Sequence, residues 1–285
     1  MKIAILFYFL SLFQAQSLNL QGQVSRRGFG TAAATATAAV LASSESALAM
    51  KADTAPKGSK IKTVLVLGSS GMVGKEVVKR LESLNIKVVG TSSDGRAGTK
   101  PVKFSSKNVE ESVALVSGYA KGVDAIISCV GSFNTPEDFY VNQATGLIAA
   151  AVPKIPVTYI SVAPEVMSSV KGLPILTEYM KGKSFSNAKV IENGGSLIQP
   201  TFIYGGDKFG INPPRVTSTY GGLIESILGS GPIRGLAGVT PGLIKVALEP
   251  PVSAEAVAGS AVAKCLGFEG SASTHDGIVS LAAKL

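Results

Sequence analysis

The chain of 285 residues has one histidine, two cysteines and no tryptophan, and only 16% of its residues are charged. With His275 as the sole imidazole, a His/Cys zinc cluster is excluded, as is a Ser-His-Asp triad built elsewhere in the chain. Cys129 and Cys265 are too few for a disulfide-stapled scaffold. Basic clusters are also missing. The 27 Lys+Arg against 19 Asp+Glu give a net charge of +8 that is spread thinly, which argues against nucleic acid as a partner. What is present is apolar. At 46% hydrophobic the chain can build the core of one large α/β domain or two small ones, and the bulk of it is not disordered.

Residues 1–49 read as a targeting presequence in two parts. Ile3–Phe13 is an apolar run behind Lys2, too short to cross a bilayer and suited to the core of a signal peptide, with Ala15-Gln16-Ser17 offering a cleavage site before Leu18. Ser25-Arg26-Arg27-Gly28-Phe29 then gives a twin-arginine pattern ahead of an alanine-rich stretch ending in Ala47-Leu48-Ala49. Two signals in series resemble the layered presequences of thylakoid-lumen proteins in algae with secondary plastids. The expectation is a plastid protein of the thylakoid lumen or the lumen-facing membrane surface, with secreted or mitochondrial protein as the alternative. The mature chain would begin at Met50, and no apolar run after it is long enough to span a bilayer.

A polar stretch over 50–62 reads as a linker. From Thr63 onward strand-like and helix-like segments alternate. Strands are expected at Thr63–Leu67, Lys87–Thr91, Val102–Phe104, Asp124–Val130, Val157–Val162 and Ser196–Tyr204, and helices at Gly74–Leu84, Val109–Ser117 and Phe139–Ala151. That alternation predicts an α/β fold, a doubly wound parallel sheet with helices on both faces, over 63–205. The Gly- and Pro-rich Gly206–Pro251 breaks the rhythm and reads as a small C-terminal cap with one helix-like piece, Gly222–Leu228. Within 206–285 the closing helix is Ala254–Leu266, N-capped by Ser253 with Glu255 in its first turn.

Directly after the first strand stands Gly68-Ser69-Ser70-Gly71-Met72-Val73-Gly74. A G-x-x-G-x-x-G run between strand and helix suits a pyrophosphate. Gly68 supplies unusual dihedrals, Gly71 lets the phosphates approach the backbone, and Gly74 permits close helix packing. The helix N-terminus adds unpaired N–H groups and the positive dipole end. At the end of the second strand, where an acid would hold ribose hydroxyls, stand Ser92 and Ser93, with Asp94 and Arg96 following. Hydroxyls with a guanidinium favour NADP(H); NAD(H) requires Asp94 to turn back to the ribose and leaves Arg96 as a loop charge.

Several segments together resemble an atypical, extended-type short-chain dehydrogenase/reductase with a Rossmann domain. They are Gly68–Gly74, Ile126-Ile127-Ser128-Cys129-Val130-Gly131, Asn142, Tyr159-Ile160-Ser161, Tyr179 with Gly182-Lys183, Gln199 to Gly205, and Pro250 to Ala258. The chain is most similar to the branch holding a plastoglobule protein, accessory proteins of ubiquinone synthesis and the NADPH-holding subunit of respiratory complex I. The resemblance implies that Cys129, Val130 and Gly131 pass beneath the cofactor and that Ser161 faces the nicotinamide. It further implies that Tyr179 and Lys183 form the Tyr-x-x-x-Lys element and that Pro200 lies near the carboxamide. Gln199 stands where many relatives have Arg, and Ser105-Ser106 where an acidic pair is common, which puts adenine recognition in question.

Tyr179 and Lys183, four apart, would share one helix face. A neighbouring ammonium is expected to lower the phenol pKa from about 10, so that Tyr179 gives a proton to a carbonyl oxygen held by Ser161 while NADPH delivers hydride. Against this, Pro174 and Gly182 weaken the helix that presents them, and Lys183 alone would serve to bind ribose hydroxyls. Two readings therefore stand: reduction of a carbonyl on a small or prenyl-lipid substrate, or a non-catalytic cofactor-holding assembly factor whose cap meets a thylakoid membrane protein or prenyl lipid. An isomerase- or epimerase-like use of the nicotinamide stands behind both. Cys129 is expected to be a core hydrophobe, His275 a solvated residue of a polar tail, and Leu223–Leu228 the core of the cap.

Overall fold

The computed structural model describes residues 60–169, 176–206, 210–211, 214–215, 222, 225, 228 and 249–285. The presequence, most of the linker and most of the cap lie outside the described residues, and of the Gly222–Leu228 piece only Gly222, Glu225 and Leu228 are described. The sheet is built from β1 (Thr63–Leu67), β2 (Lys87–Ser92), β3 (Lys100–Pro101), β4 (Ala125–Ser128), β5 (Val157–Ile160) and β6 (Ser196–Ile198). They pair in parallel in the order β3-β2-β1-β4-β5-β6. The order reverses between β1 and β4, which opens a crevice at the carboxyl ends of those two strands. This is the doubly wound α/β sheet expected of the alternating pattern.

β1 shows why both faces are covered. Its side chains alternate, so Val64 and Val66 enter one apolar cluster and Leu65 and Leu67 the other, all fully buried. The first cluster is closed by α1 (Met72–Ser83) together with the C-terminal helices α6 (Ala254–Cys265) and α7 (His275–Ala282). The second is closed by α2 (Val109–Tyr119), α3 (Asp138–Ala151) and Val190 of α5 (Thr177–Glu192). Ser253 caps α6 as expected, its hydroxyl accepting from the Ala256 N–H at 3.1 Å. A short α4 (Pro164–Ser169) completes the helices named here. Among the described residues, no helix is long and apolar enough to cross a membrane.

Four local expectations change. The stretch Ser196–Tyr204 is not one strand: β6 stops at Ile198, and Ile203–Tyr204 (β7) pairs in parallel with Val252–Ser253 in a separate two-stranded sheet. Pro200 lacks the N–H that would continue the ladder with β5, and the Gln199 N–H turns to the Ala272 carbonyl at 2.7 Å. The third strand lies two residues earlier than Val102–Phe104; those two side chains are buried just beyond it. α5 forms despite Gly182, because that glycine is its contact with α3. A Cβ there would stand 2.7 Å from the Phe139 carbonyl oxygen, and one at Gly146 of α3 would stand 2.8 Å from the Ser186 Cα. His275 does not sit in a polar tail. It opens α7, which Thr274 caps through the Gly277 N–H and which Ile278 and Leu281 bury.

Candidate functional site

The turn after β1 is shaped by its backbone. Gly68 adopts φ 74°, a left-handed conformation that costs side-chain-bearing residues about 1 kcal/mol or more, and a Cβ on it would meet the Cys129 carbonyl at 3.2 Å. The Gly71 N–H closes the turn on the Gly68 carbonyl at 3.0 Å. Gly74 is needed for a reason other than packing on the sheet: its Cβ would overlap the Gly68 carbonyl itself. α1 therefore starts in contact with the turn. No side chain caps α1, and its first turn holds no acid, which leaves its positive end available to an anion.

The side chains of the turn divide the work. Ser69 is buried, with both its N–H and its hydroxyl on the Thr91 carbonyl at 2.9 and 3.0 Å, so it fastens the turn to β2. Val73 is a core residue and Met72 packs on the same cluster; Ser70 and Gly71 keep partial exposure. At the tip of β2 the buried Ser92 hydroxyl meets Thr99 Oγ1 at 2.6 Å and donates to Asp94 Oδ1 at 3.2 Å, while Ser93 is exposed. Arg96 Nε donates to Asp94 Oδ1 at 2.9 Å with both side chains largely in solvent. The guanidinium's hydrogen bond holds the Asp94 carboxyl below the usual carboxylate range.

Across the crevice, β4 and β5 end at a second group of residues carried by α3 and α5. Lys183 is buried and donates to the Ile160 carbonyl at 3.1 Å, with its ammonium 4.6 Å from the Tyr159 ring centre and 5.8 Å from that of Tyr179. Burial pushes its pKa down to about 7, against a smaller upward pull from Cys129. Gly131 leaves room beside it. The position of a Gly131 Cβ is 3.5 Å from both Lys183 Nζ and Asn142 Oδ1. Asn142 is fully buried, and its Nδ2 donates to the Ser132 and Asp138 carbonyls at 2.8 and 2.7 Å. Its Oδ1 is the one buried side-chain polar atom among the described residues with no hydrogen-bond partner. An ammonium with donors to spare and an orphaned acceptor, both beside a residue without a side chain, fit a polyhydroxyl group such as a ribose.

Tyr179 differs from expectation. Burial, then the nearby Asp138 carboxylate, raise its pKa above the ordinary phenol value rather than lowering it. The ammonium expected to lower it is itself about half discharged by burial at neutral pH. The Tyr179 ring packs edge-on against Phe133 with centroids 5.5 Å apart. Ser161, at the end of β5, donates its hydroxyl to Asn187 Oδ1 at 2.5 Å. Asn187 and Asp138 escaped sequence reasoning; only the 179, 183, 187 spacing along one helix face could have pointed to Asn187. Cys129 carries its N–H to the Leu67 carbonyl at 2.9 Å, and burial pushes its thiol up to about 12, an inert core thiol. Val130 follows it half-buried, and Pro200 is buried with its carbonyl taking the Ala163 N–H at 3.0 Å.

Residues 64–152, which span β1 to the carboxyl end of α3, match the NAD dependent epimerase/dehydratase family. No curated protein matches the chain in sequence. Among solved structures it is similar to dTDP-4-dehydrorhamnose reductase from Yersinia enterocolitica, at 18% identity and TM-score 0.40, over 51% of this chain and 54% of that one. The chain thus spans about half of that enzyme's length. It is also similar to WbmH of Bordetella bronchiseptica in complex with NAD+, at 16% identity and TM-score 0.47, over 72% of each chain. Gre2 of Candida albicans in complex with NADPH is similar at 16% identity and TM-score 0.44, over 70% of this chain and 73% of that one.

Proposed function

We propose that the chain binds a nicotinamide dinucleotide across the β1/β4 crevice, NADP(H) in preference to NAD(H), and reduces a carbonyl of a small or prenyl-lipid substrate. The observation that carries the reading is the pairing of Lys183 with the orphaned Asn142 Oδ1 beside Gly131, facing the uncapped start of α1 across the sheet's topological switch. The turn Gly68–Gly74 would hold the pyrophosphate, and Lys183 and Asn142 the nicotinamide ribose. When bound, the dinucleotide supplies hydride.

The raised phenol gives the chemistry a direction. Reduction needs Tyr179 protonated, so that its O–H can protonate a developing alkoxide; oxidation would need phenolate as a base, which burial and Asp138 oppose. Ser161 has its own proton on Asn187, so its oxygen acts toward the substrate as an acceptor.

That same commitment of Ser161, with a phenol not tuned downward, supports a second reading: a cofactor-holding assembly or stability factor without turnover. One experiment separates them. In the purified protein, Gly71→Asp, which sets a carboxylate in the phosphate turn, abolishes dinucleotide binding under either reading. Tyr179→Phe retains binding under both, but lowers carbonyl reduction by about 10²-fold or more only if the protein is a reductase. If cells lacking the protein are rescued by Tyr179→Phe and not by Gly71→Asp, the holding role stands. If neither dinucleotide binds the wild-type protein, both readings fall. The presequence pattern supports the thylakoid lumen or its membrane surface as the site of action, and a fluorescent fusion to residues 1–49 tests it.

A further inference from the structure

A ring of contacts encloses the carboxyl ends of β1 and β2. Ser69 fastens the glycine turn to the Thr91 carbonyl near the tip of β2. The Val102 N–H, just past β3, reaches the Ser92 carbonyl at 2.8 Å. Further along the same segment, Ser106 donates from its N–H to Glu137 Oε2 at 2.6 Å and from its hydroxyl to Glu137 Oε1 at 3.1 Å. Glu137 stands immediately before α3, where the loop leaving β4 ends. That loop starts beside the turn, since a Cβ on Gly68 would lie 3.6 Å from the Val130 nitrogen. Leu67, Phe104 and Val130 lie at these same strand ends and belong to one apolar cluster.

One link in this ring is made by a half-buried carboxylate, and it is not saturated. A carboxylate accepts at about four lone-pair positions; Ser106 fills one on each Glu137 oxygen, which leaves one on each. With the pyrophosphate in the turn and the nicotinamide ribose at Lys183 and Asn142, the second ribose runs the other way, to Ser92, and its base falls inside the ring. We propose that Glu137 selects this base: its carboxylate, held by Ser106, accepts a hydrogen bond from the 6-amino group of adenine, and so takes a 6-aminopurine and turns away a 6-oxopurine. The proposal rests on the dinucleotide reading above.

The discrimination follows from donor and acceptor types. An amino group offers N–H donors to an acceptor-only carboxylate, in a charge-assisted hydrogen bond. Hypoxanthine carries a carbonyl oxygen at position 6, so two acceptors would face one another, and a site built around a hydrogen bond rejects the analogue that cannot make it. Ser106 is the positioning residue. It comes from the far side of the ring, 31 residues from Glu137 in sequence, and both of its donors serve the carboxylate. An acid in its place would repel Glu137 rather than hold it.

Two dinucleotides that differ only in the purine make the test direct. In the purified full-length protein, titration calorimetry compares NADPH with the reduced nicotinamide hypoxanthine dinucleotide phosphate. The wild type is expected to bind NADPH about tenfold or more tighter, the scale of one hydrogen bond to a charged group. Glu137→Ala should weaken NADPH by that factor and leave the hypoxanthine form unchanged or tighter, so that the preference is lost. Glu137→Gln, whose amide can turn its NH₂ toward a 6-oxo group, should narrow or reverse the preference. Ser106→Ala keeps the backbone bond and should lower it less. If Glu137→Ala fails to fold, the wild type and Glu137→Gln still decide. Equal binding of the two dinucleotides by the wild type, a wild-type preference in Glu137→Gln, or equal losses for both in Glu137→Ala, as a purely structural pin would give, overturns the proposal and leaves the dinucleotide reading standing. Only a wild type that binds neither removes both.

Discussion

The two sides of the crevice are built in different ways. On the β1 side the chain presents backbone: a left-handed Gly68, a closed turn and an uncapped helix start. On the β5 side it presents side chains, Lys183, Asn142, Tyr179 and Ser161, whose placement depends on how α5 packs against α3. The first kind of site is mostly local: the turn closes on itself between Gly68 and Gly74, with Ser69 fastening it to Thr91 of β2. The second is assembled over long separations, so its chemistry is set by neighbours that no local pattern announces. A carboxylate from outside the Tyr-x-x-x-Lys pattern illustrates this: together with burial, the larger influence, Asp138 keeps the Tyr179 phenol up.

If the local side is backbone-determined, its most damaging single change adds one carbon. Gly74→Ala sets a Cβ into the Gly68 carbonyl with nothing flexible to yield, and it is expected to cost upwards of about 3 kcal/mol, read by denaturant unfolding. The counterpart on the other side is Gly182→Ala. Its Cβ meets the Phe139 carbonyl at 2.7 Å and the Asn142 Cβ at 2.8 Å, so α5 must back away from α3. A loss of roughly 1–3 kcal/mol is expected, with Lys183 and Asn142 drawn apart and dinucleotide binding weakened. Should Gly182→Ala leave binding intact, the side-chain half does not depend on that helix contact and the contrast fails.

Much of the fold was legible because each β1 residue points to one face or the other of a sheet buried on both, which writes an unbroken aliphatic run into the sequence. The glycine turn was legible for the same reason: its cause is local. Three features were not. Pro200 cut a strand that the aliphatic residues on either side of it appeared to continue, since hydropathy does not record a missing N–H. Gly182 read as a helix weakener because propensity is a property of an isolated helix, whereas here its missing Cβ admits α3. His275 read as solvated because its partner Glu225 lies 50 residues away and only the folded chain brings them together.

Lys183 sharpens the comparison because its contributions to folding and to binding oppose one another. Its amine is buried with a folded pKa of about 7 against an ordinary 10.5. The unfolded chain therefore binds the extra proton between those values, and the stability of the free protein rises with pH across that window. Below pH 7 folding carries the cost of a buried charge. Lys183→Met should remove that pH dependence and stabilise the free protein, by roughly 1–4 kcal/mol near neutral pH if it behaves like other buried ions replaced by matched apolar side chains. It should also weaken dinucleotide binding tenfold or more, by titration calorimetry. A residue kept only for structure would show neither the stabilisation nor the loss of binding.

The smallest expected effect lies back on the β1 side, at the one place where that side relies on side chains. Arg96 and Asp94 form an exposed pair, and exposed pairs contribute about 0–1 kcal/mol. A 2′-phosphate carries more charge than the single carboxylate and offers three acceptor oxygens, so it can draw the guanidinium away at little cost. Arg96→Ala should then weaken NADP(H) binding by roughly tenfold, the scale of one charge-assisted hydrogen bond, and leave NAD(H) binding unchanged or slightly tighter, because Asp94 is freed to meet a ribose hydroxyl. Asp94→Asn should do the reverse, releasing Arg96 and favouring NADP(H). Equal losses for both dinucleotides in Arg96→Ala would mean that the guanidinium holds the loop rather than the phosphate, and coenzyme choice would then fall to the Ser92 hydroxyl and the β2 backbone.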